Sequence, residues 1–122
     1  MTLPGYEDKP VISKRALELS RNVLAEIKEH GIDSPIKSIY LEKMFELTDA
    51  EIRHIVSHAR LDGEPIGSGG RGYFYARNPG QLDQTIAHLK ARECKISMVR
   101  EALEYLSYRL ADRSASQEAL KL

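Results

Sequence analysis

The first 12 residues, MTLPGYEDKPVI, show no hydrophobic period and carry two prolines, a glycine and three charges, which reads as a loose arm. From Ser13 a helical period sets in. Leu17, Ser20, Leu24 and Ile27 fall on one stripe with Ala16 and Val23 beside it, while Arg21, Glu26, Lys28 and Glu29 fall off it. Ser13 is placed to cap this helix and Gly31 to stop it. Ile32 to Lys37 is interrupted by Pro35 and reads as a connector with one short edge strand. A second, shorter helix is predicted over about 38–46, with Ile39, Leu41, Met44 and Phe45 on its apolar face.

Thr48 stands three residues before Glu51, the spacing of a capping box in which each side chain satisfies one orphaned amide. It opens a third helix whose buried stripe is Ile52, Ile55, Val56 and Ala59, leaving Ala50, Arg53, His54 and Ser57 on other faces. Asp62-Gly63 ends it. Pro65 and a run of glycines then exclude helix. Residues 65–68 and 72–76 read as two strands joined by a turn around Gly69-Gly70-Arg71. Alternation sends Phe74 to one face, toward the third helix, and Tyr73 and Tyr75 to the other.

Asn78, Pro79 and Gln81 mark another helix start. The helix that begins there, about 79–112, contains no proline or glycine after Gly80 and would span roughly 50 Å. Leu82, Leu89, Ile96, Leu103 and Leu110 recur every seven residues along it. The intervening fourth positions are polar at Thr85 and Arg92, then apolar at Val99 and Leu106, so the second half carries a coiled-coil seam. The resulting division is an arm over 1–12, a domain over 13–77, a long helix over 78–112 and a frayed tail over 113–122.

Charge constrains function more tightly than composition does. Over 122 residues, 18 Lys and Arg balance 18 Asp and Glu, so binding of nucleic acid by bulk positive charge is excluded. The single cysteine, Cys94, excludes a disulfide framework and a cysteine-based zinc module, and points to a reducing cytoplasm, bacterial or phage-infected. No apolar run approaches the roughly 20 residues of a membrane span, and the first residues do not read as a signal peptide.

The element order of three helices, a tight turn between the second and third, and a hairpin is that of a winged helix-turn-helix. The expected fold is mainly α with a small β-hairpin, followed by a long C-terminal helix. Residues from about Leu41 to Ala76 resemble the helix-turn-helix and wing of the biotin operon repressor type. They are most similar to small winged-helix proteins of bacteriophages and prophages. The likeness rests on Gly63-Glu64-Pro65-Ile66-Gly67-Ser68 followed by Gly72-Tyr73-Phe74-Tyr75-Ala76, and continues through Asn78, Leu82, Leu89 and Arg92. Tyr75 departs from it, since many relatives carry an aliphatic residue there. The resemblance implies DNA binding in transcription regulation or replication.

The candidate DNA contacts are Lys43, Thr48, Ala50, Arg53, His54, Ser57 and Arg60 on the helices, with Ser68 and Arg71 on the hairpin. Arg53 and Arg60 divide between bases and phosphate, and Arg71 reaches a phosphate or narrow minor groove from the turn. Ile96, Val99, Leu103, Leu106 and Leu110 are the candidate homodimer seam, which would set two modules on two half-sites of double-stranded DNA.

Competing chemistries are weaker. Gly67 to Gly72 spells G-x-G-x-x-G, but a strand follows it where a dinucleotide site needs a helix. His54 and His58 lack the intervening Glu of a zinc motif, and no catalytic set or cofactor site assembles, so no enzyme is expected. The other reading is a winged-helix module that binds a host replication or transcription protein. Residues 48–63 favour it, with Arg53 and Arg60 against Asp49, Glu51 and Asp62. Residues 64–77, with Arg71 and Arg77 against Glu64, only partly restore the positive balance that DNA binding calls for.

Overall fold

The computed structural model describes the backbone of residues 12–120 and the side chains of 12–115, so all but the last residue of the expected arm lies outside it. The protein is mainly helical, with one two-stranded antiparallel sheet and a long C-terminal helix. It divides into two units, Met1–Thr85 and Ile86–Leu122.

The first unit contains α1 (Lys14–Lys28), α2 (Ser38–Phe45), α3 (Asp49–Leu61), β1 (Ile66–Gly69), β2 (Gly72–Tyr75) and a 3₁₀ turn over Pro79–Leu82. Ser13 caps α1 by accepting from the Ala16 amide at 3.1 Å. The buried residues of α1 are Ile27, from the expected stripe, and Ala16 and Val23, expected beside it; Leu24 is only partly buried and Leu17 is 59% exposed. The helix ends at Lys28, before Gly31. Ile52, Ile55, Val56 and Ala59 of α3 complete the core with Ile36, Leu41, Leu47 and Ile66. Of the apolar face expected for α2, Leu41 is buried and Phe45 packs partly buried against the core, whereas Ile39 and Met44 are exposed, as is Tyr40 beside them.

Between α2 and α3 the chain turns through Glu46, which adopts a left-handed backbone (φ 53°, ψ 48°) despite its side chain. The Thr48–Glu51 capping box then starts α3. The Glu51 amide donates to Thr48 Oγ1 at 3.1 Å, and the Thr48 amide to Glu51 Oε1 at 3.0 Å.

The hairpin pairs Ile66 with Tyr75, Gly67 with Phe74, Ser68 with Tyr73 and Gly69 with Gly72, leaving Gly70-Arg71 as a two-residue loop. Its faces are the reverse of the expected ones. Tyr73 and Tyr75 pack against the helical core. Phe74 lies on the other face, across Gly67, where an added Cβ would overlap its ring. It shares a cleft there with Ile32, Pro35, Gln81 and Thr85. The expected edge strand before α2 is a single bridge, in which Ile36 and Tyr73 exchange amide–carbonyl bonds of 2.9 and 2.8 Å. Gly72 (φ 125°) lets this bridge form, because a Cβ there would strike the Ile36 carbonyl.

The other side of the hairpin is closed by Thr85, whose hydroxyl accepts from the Ser68 amide at 3.0 Å and donates to the Ser68 carbonyl at 3.1 Å. The compact unit thus extends to Thr85, beyond the expected limit at 77. The long helix, α4 (Asp83–Leu120), begins only after the 3₁₀ turn and continues through the residues expected to fray, to Leu120. Ile86, Leu89, Ile96, Met98, Val99, Leu103, Tyr105, Leu106, Tyr108 and Leu110 are all exposed.

Candidate nucleic-acid interface

The face of α3 opposite its buried stripe is formed by Ala50, Arg53, His54 and Ser57, all exposed. Their spacing of three, four and seven places them on one side of the helix. Four of the nine sequence-derived DNA contacts therefore share a single accessible surface. Arg53 is held along the helix by Asp49, Nε to Oδ2 at 3.1 Å, and Asp49 also accepts from Ser38 Oγ at 2.8 Å. Thr48 is exposed, but its hydroxyl is engaged in the capping box. Hydrogen bonds lower the Glu51 pKa, first that from the Thr48 amide within the box and then that from the Ser13 hydroxyl outside it.

Arg60 does a different job from the one its charge suggests. Its Nε donates to the Ile66 carbonyl at 2.8 Å and its Nη2 to Ser68 Oγ at 3.1 Å. The side chain is half-buried, and desolvation lowers its pKa from the ordinary arginine value. Arg60 and Ser68, both among the expected DNA contacts, thus fasten β1 to α3. A second fastening holds β2. The Tyr75 hydroxyl donates to Glu64 Oε2 at 2.6 Å, and Lys28 Nζ lies 3.7 Å from Glu64 Oε1 and 5.5 Å from the centre of the Tyr75 ring.

Tyr73, to which the sequence gives only a packing role, does pack against the helical core, and its phenol also feels the charges of Asp49, Arg60 and Arg53. It is half-buried, and burial raises its pKa; Asp49 and Glu42 raise it further while Arg60 and Arg53 oppose them. The signal in the sequence is its position opposite Ser68 in the hairpin, legible only once the two-residue loop fixes the register. Lys43 on α2 and Arg71 at the loop are exposed, and neither forms an ion pair among the described residues.

No family model, curated protein or solved structure matches this chain. What the site does must be read from its own geometry. Gly69 to Gly72 closes a hairpin and runs into β2, so the glycine motif lacks the helix N-terminus that a pyrophosphate needs. Among the described residues, no three His, Cys, Asp or Glu side chains converge on a metal-sized site. Among those residues, too, no helix is long and apolar enough to cross a membrane. The seam residues Ile96, Val99, Leu103, Leu106 and Leu110 lie on α4 in the second unit, each more than half exposed.

Proposed function

We propose that the first unit is a winged helix-turn-helix that binds double-stranded DNA sequence-specifically, without catalysis. In this reading the protein acts in phage-type transcription regulation or replication and dimerises through α4. One observation carries it: α3 buries a complete apolar stripe and presents Ala50, Arg53, His54 and Ser57 together on its free face. A helix held this way offers a rigid, polar surface to a major groove roughly 12 Å wide. The sharp turn at Glu46 and the Ile36 bridge, which adds a third backbone segment to the hairpin, support the same reading.

The roles divide by what each side chain is free to do. Arg53 and His54 read base edges, with Asp49 orienting the Arg53 guanidinium. Lys43 and Arg71 meet phosphates, and Arg60 with Ser68 holds the hairpin that carries Arg71. Binding to a mixed pool of genomic fragments is expected to fall steeply between about 50 and 200 mM salt, as phosphate contacts release counterions. Arg53→Ala is expected to relax sequence preference, whereas Arg71→Ala weakens all sequences about equally. Selection of bound sites with both variants separates these effects. Absence of binding at the lower salt overturns the proposal.

A second reading is favoured by one specific feature. Ile39, Tyr40 and Met44 leave an apolar strip exposed on α2, and the chain has no net charge. Such a strip fits a protein partner, for instance a host replication or transcription factor. In that case Tyr40→Lys removes partner binding, and Arg53→Ala leaves it unchanged.

A further inference from the structure

On the face of the hairpin turned away from the helical core lies a cleft of about 300 Å³. Every residue that lines it belongs to the first unit. Its apolar part is Ile32, Pro35 and the buried Phe74. Gly69 and Gly70 leave bare peptide planes on its wall, and no atom lies within 4 Å of where a Cβ on either would stand.

The polar groups of the cleft are few, and some are uncommitted. Thr85 is engaged by both backbone groups of Ser68. Gln81 accepts from the Arg77 amide at 2.8 Å through Oε1, which leaves its amide nitrogen as a donor. Gln84, on the first turn of α4, is exposed and forms no hydrogen bond among the described residues. Arg71 is the one charged residue in the lining, and it forms no ion pair among the described residues. The groove of similar size between α1 and α3 differs in this respect, since Arg21 shares it with Asp62 and Glu64. An apolar surface with a few polar groups is the composition of a small-molecule site, and about 300 Å³ is the lower end of the usual range.

We infer that this cleft binds a small, planar, aromatic carboxylate. The flat ring lies on Phe74, Pro35 and the glycine peptide planes, which offer no side chain in its way. The carboxylate meets the Arg71 guanidinium, whose planar fork matches it, with the Gln81 and Gln84 amides as further donors. One guanidinium balances the single charge of a carboxylate, which a phosphate monoester exceeds.

Titration of the isotope-labelled full chain with cinnamate, followed through its amide chemical shifts, tests this. Saturable shifts are expected at Gly69 to Gly72 and at Gln84. Cinnamamide, which has the same ring without the charge, is expected to bind about tenfold more weakly, and Arg71→Gln to weaken cinnamate by about the same factor. Gly69→Leu is expected to abolish binding. Its side chain leaves the strand on the same face as Gly67, the Phe74 face, and its φ lies outside the left-handed region. Arg71→Gln changes only an exposed loop side chain, so it decides the matter even where Gly69→Leu fails to fold. Equal affinity for cinnamate and cinnamamide, unchanged cinnamate affinity in Arg71→Gln, or binding retained in a folded Gly69→Leu overturns the inference. So does the absence of saturable shifts, or their appearance elsewhere. The titration contains no DNA, so none of these outcomes bears on the DNA-binding reading.

Discussion

The first unit and α4 both carry many apolar residues but use them in opposite ways. In the first unit, Val23, Ile27, Leu41, Ile52, Ile55 and Ile66 have almost no contact with water. On α4, every large apolar side chain from Ile86 to Leu110 is exposed. Burial of such a side chain is worth about 1.5–3 kcal/mol. The first unit realises that energy within one chain, and α4 can realise it only with another surface. The stability of the first unit is therefore expected to be independent of protein concentration, and the state of α4 to depend on it.

The largest test sets one region against the other. Leu41→Ala leaves a cavity where α2 meets the core, and a loss of about 2–5 kcal/mol is expected in urea unfolding. Leu103→Asp, on the exposed seam, is expected to leave the urea midpoint of the first unit unchanged and to reduce the sedimenting particle to one chain. A Leu103→Asp protein whose first unit also unfolds would erase the distinction.

Gly67→Ala comes next. Its methyl group must displace Phe74 from a packed face, and a loss of about 1–3 kcal/mol is expected from overpacking. Gly69, with open space around it, serves as the control. Thr48→Ala removes the α3 cap at a cost of about 1 kcal/mol, measurable by the same unfolding curve.

The smallest effects lie on either side of that cap. Glu46→Gly relieves a left-handed backbone and is expected to stabilise by about 1 kcal/mol, since its ion pair with Arg15 is exposed and contributes little. Glu51 has a lowered pKa, so its contribution is complete above the usual carboxylate range and is lost as pH falls through the depressed value. Glu51→Gln is expected to flatten this acid limb of the stability curve and to leave the neutral-pH shape of the curve unaltered.

How much of the molecule is legible in its sequence varies with the same division. The α3 stripe and its capping box are readable residue by residue, because Ile52, Ile55, Val56 and Ala59 allow only one phase. In α1, Ala16 and Leu17, then Val23 and Leu24, offer two adjacent phases, and the period alone does not choose between them. The choice falls to the smaller Ala16, where α1 packs close to its neighbours. The hairpin is legible, but its inward face is not. Alternation separates Phe74 from the tyrosines without saying which side meets the core. The α3 face of the candidate site is visible for the same reason as its stripe. The framework role of Arg60 is hidden, because a cation on a helix gives no sign of a carbonyl six residues later that needs a donor.

The bonding around the hairpin has a consequence for how the protein is handled by cells and by experimenters. A two-stranded sheet has two edges, and bare edges recruit strands from other chains. Here the Ile66 carbonyl is taken by Arg60, both polar groups of Ser68 by Thr85, and those of Tyr73 by Ile36. A fragment cut after Arg77, at the limit the sequence pattern draws, would lose the Thr85 hydroxyl and open one edge to strand addition. The shortest fragment that stays soluble without aggregating should therefore run through Thr85, and in hydrogen exchange its Ser68 amide should remain protected.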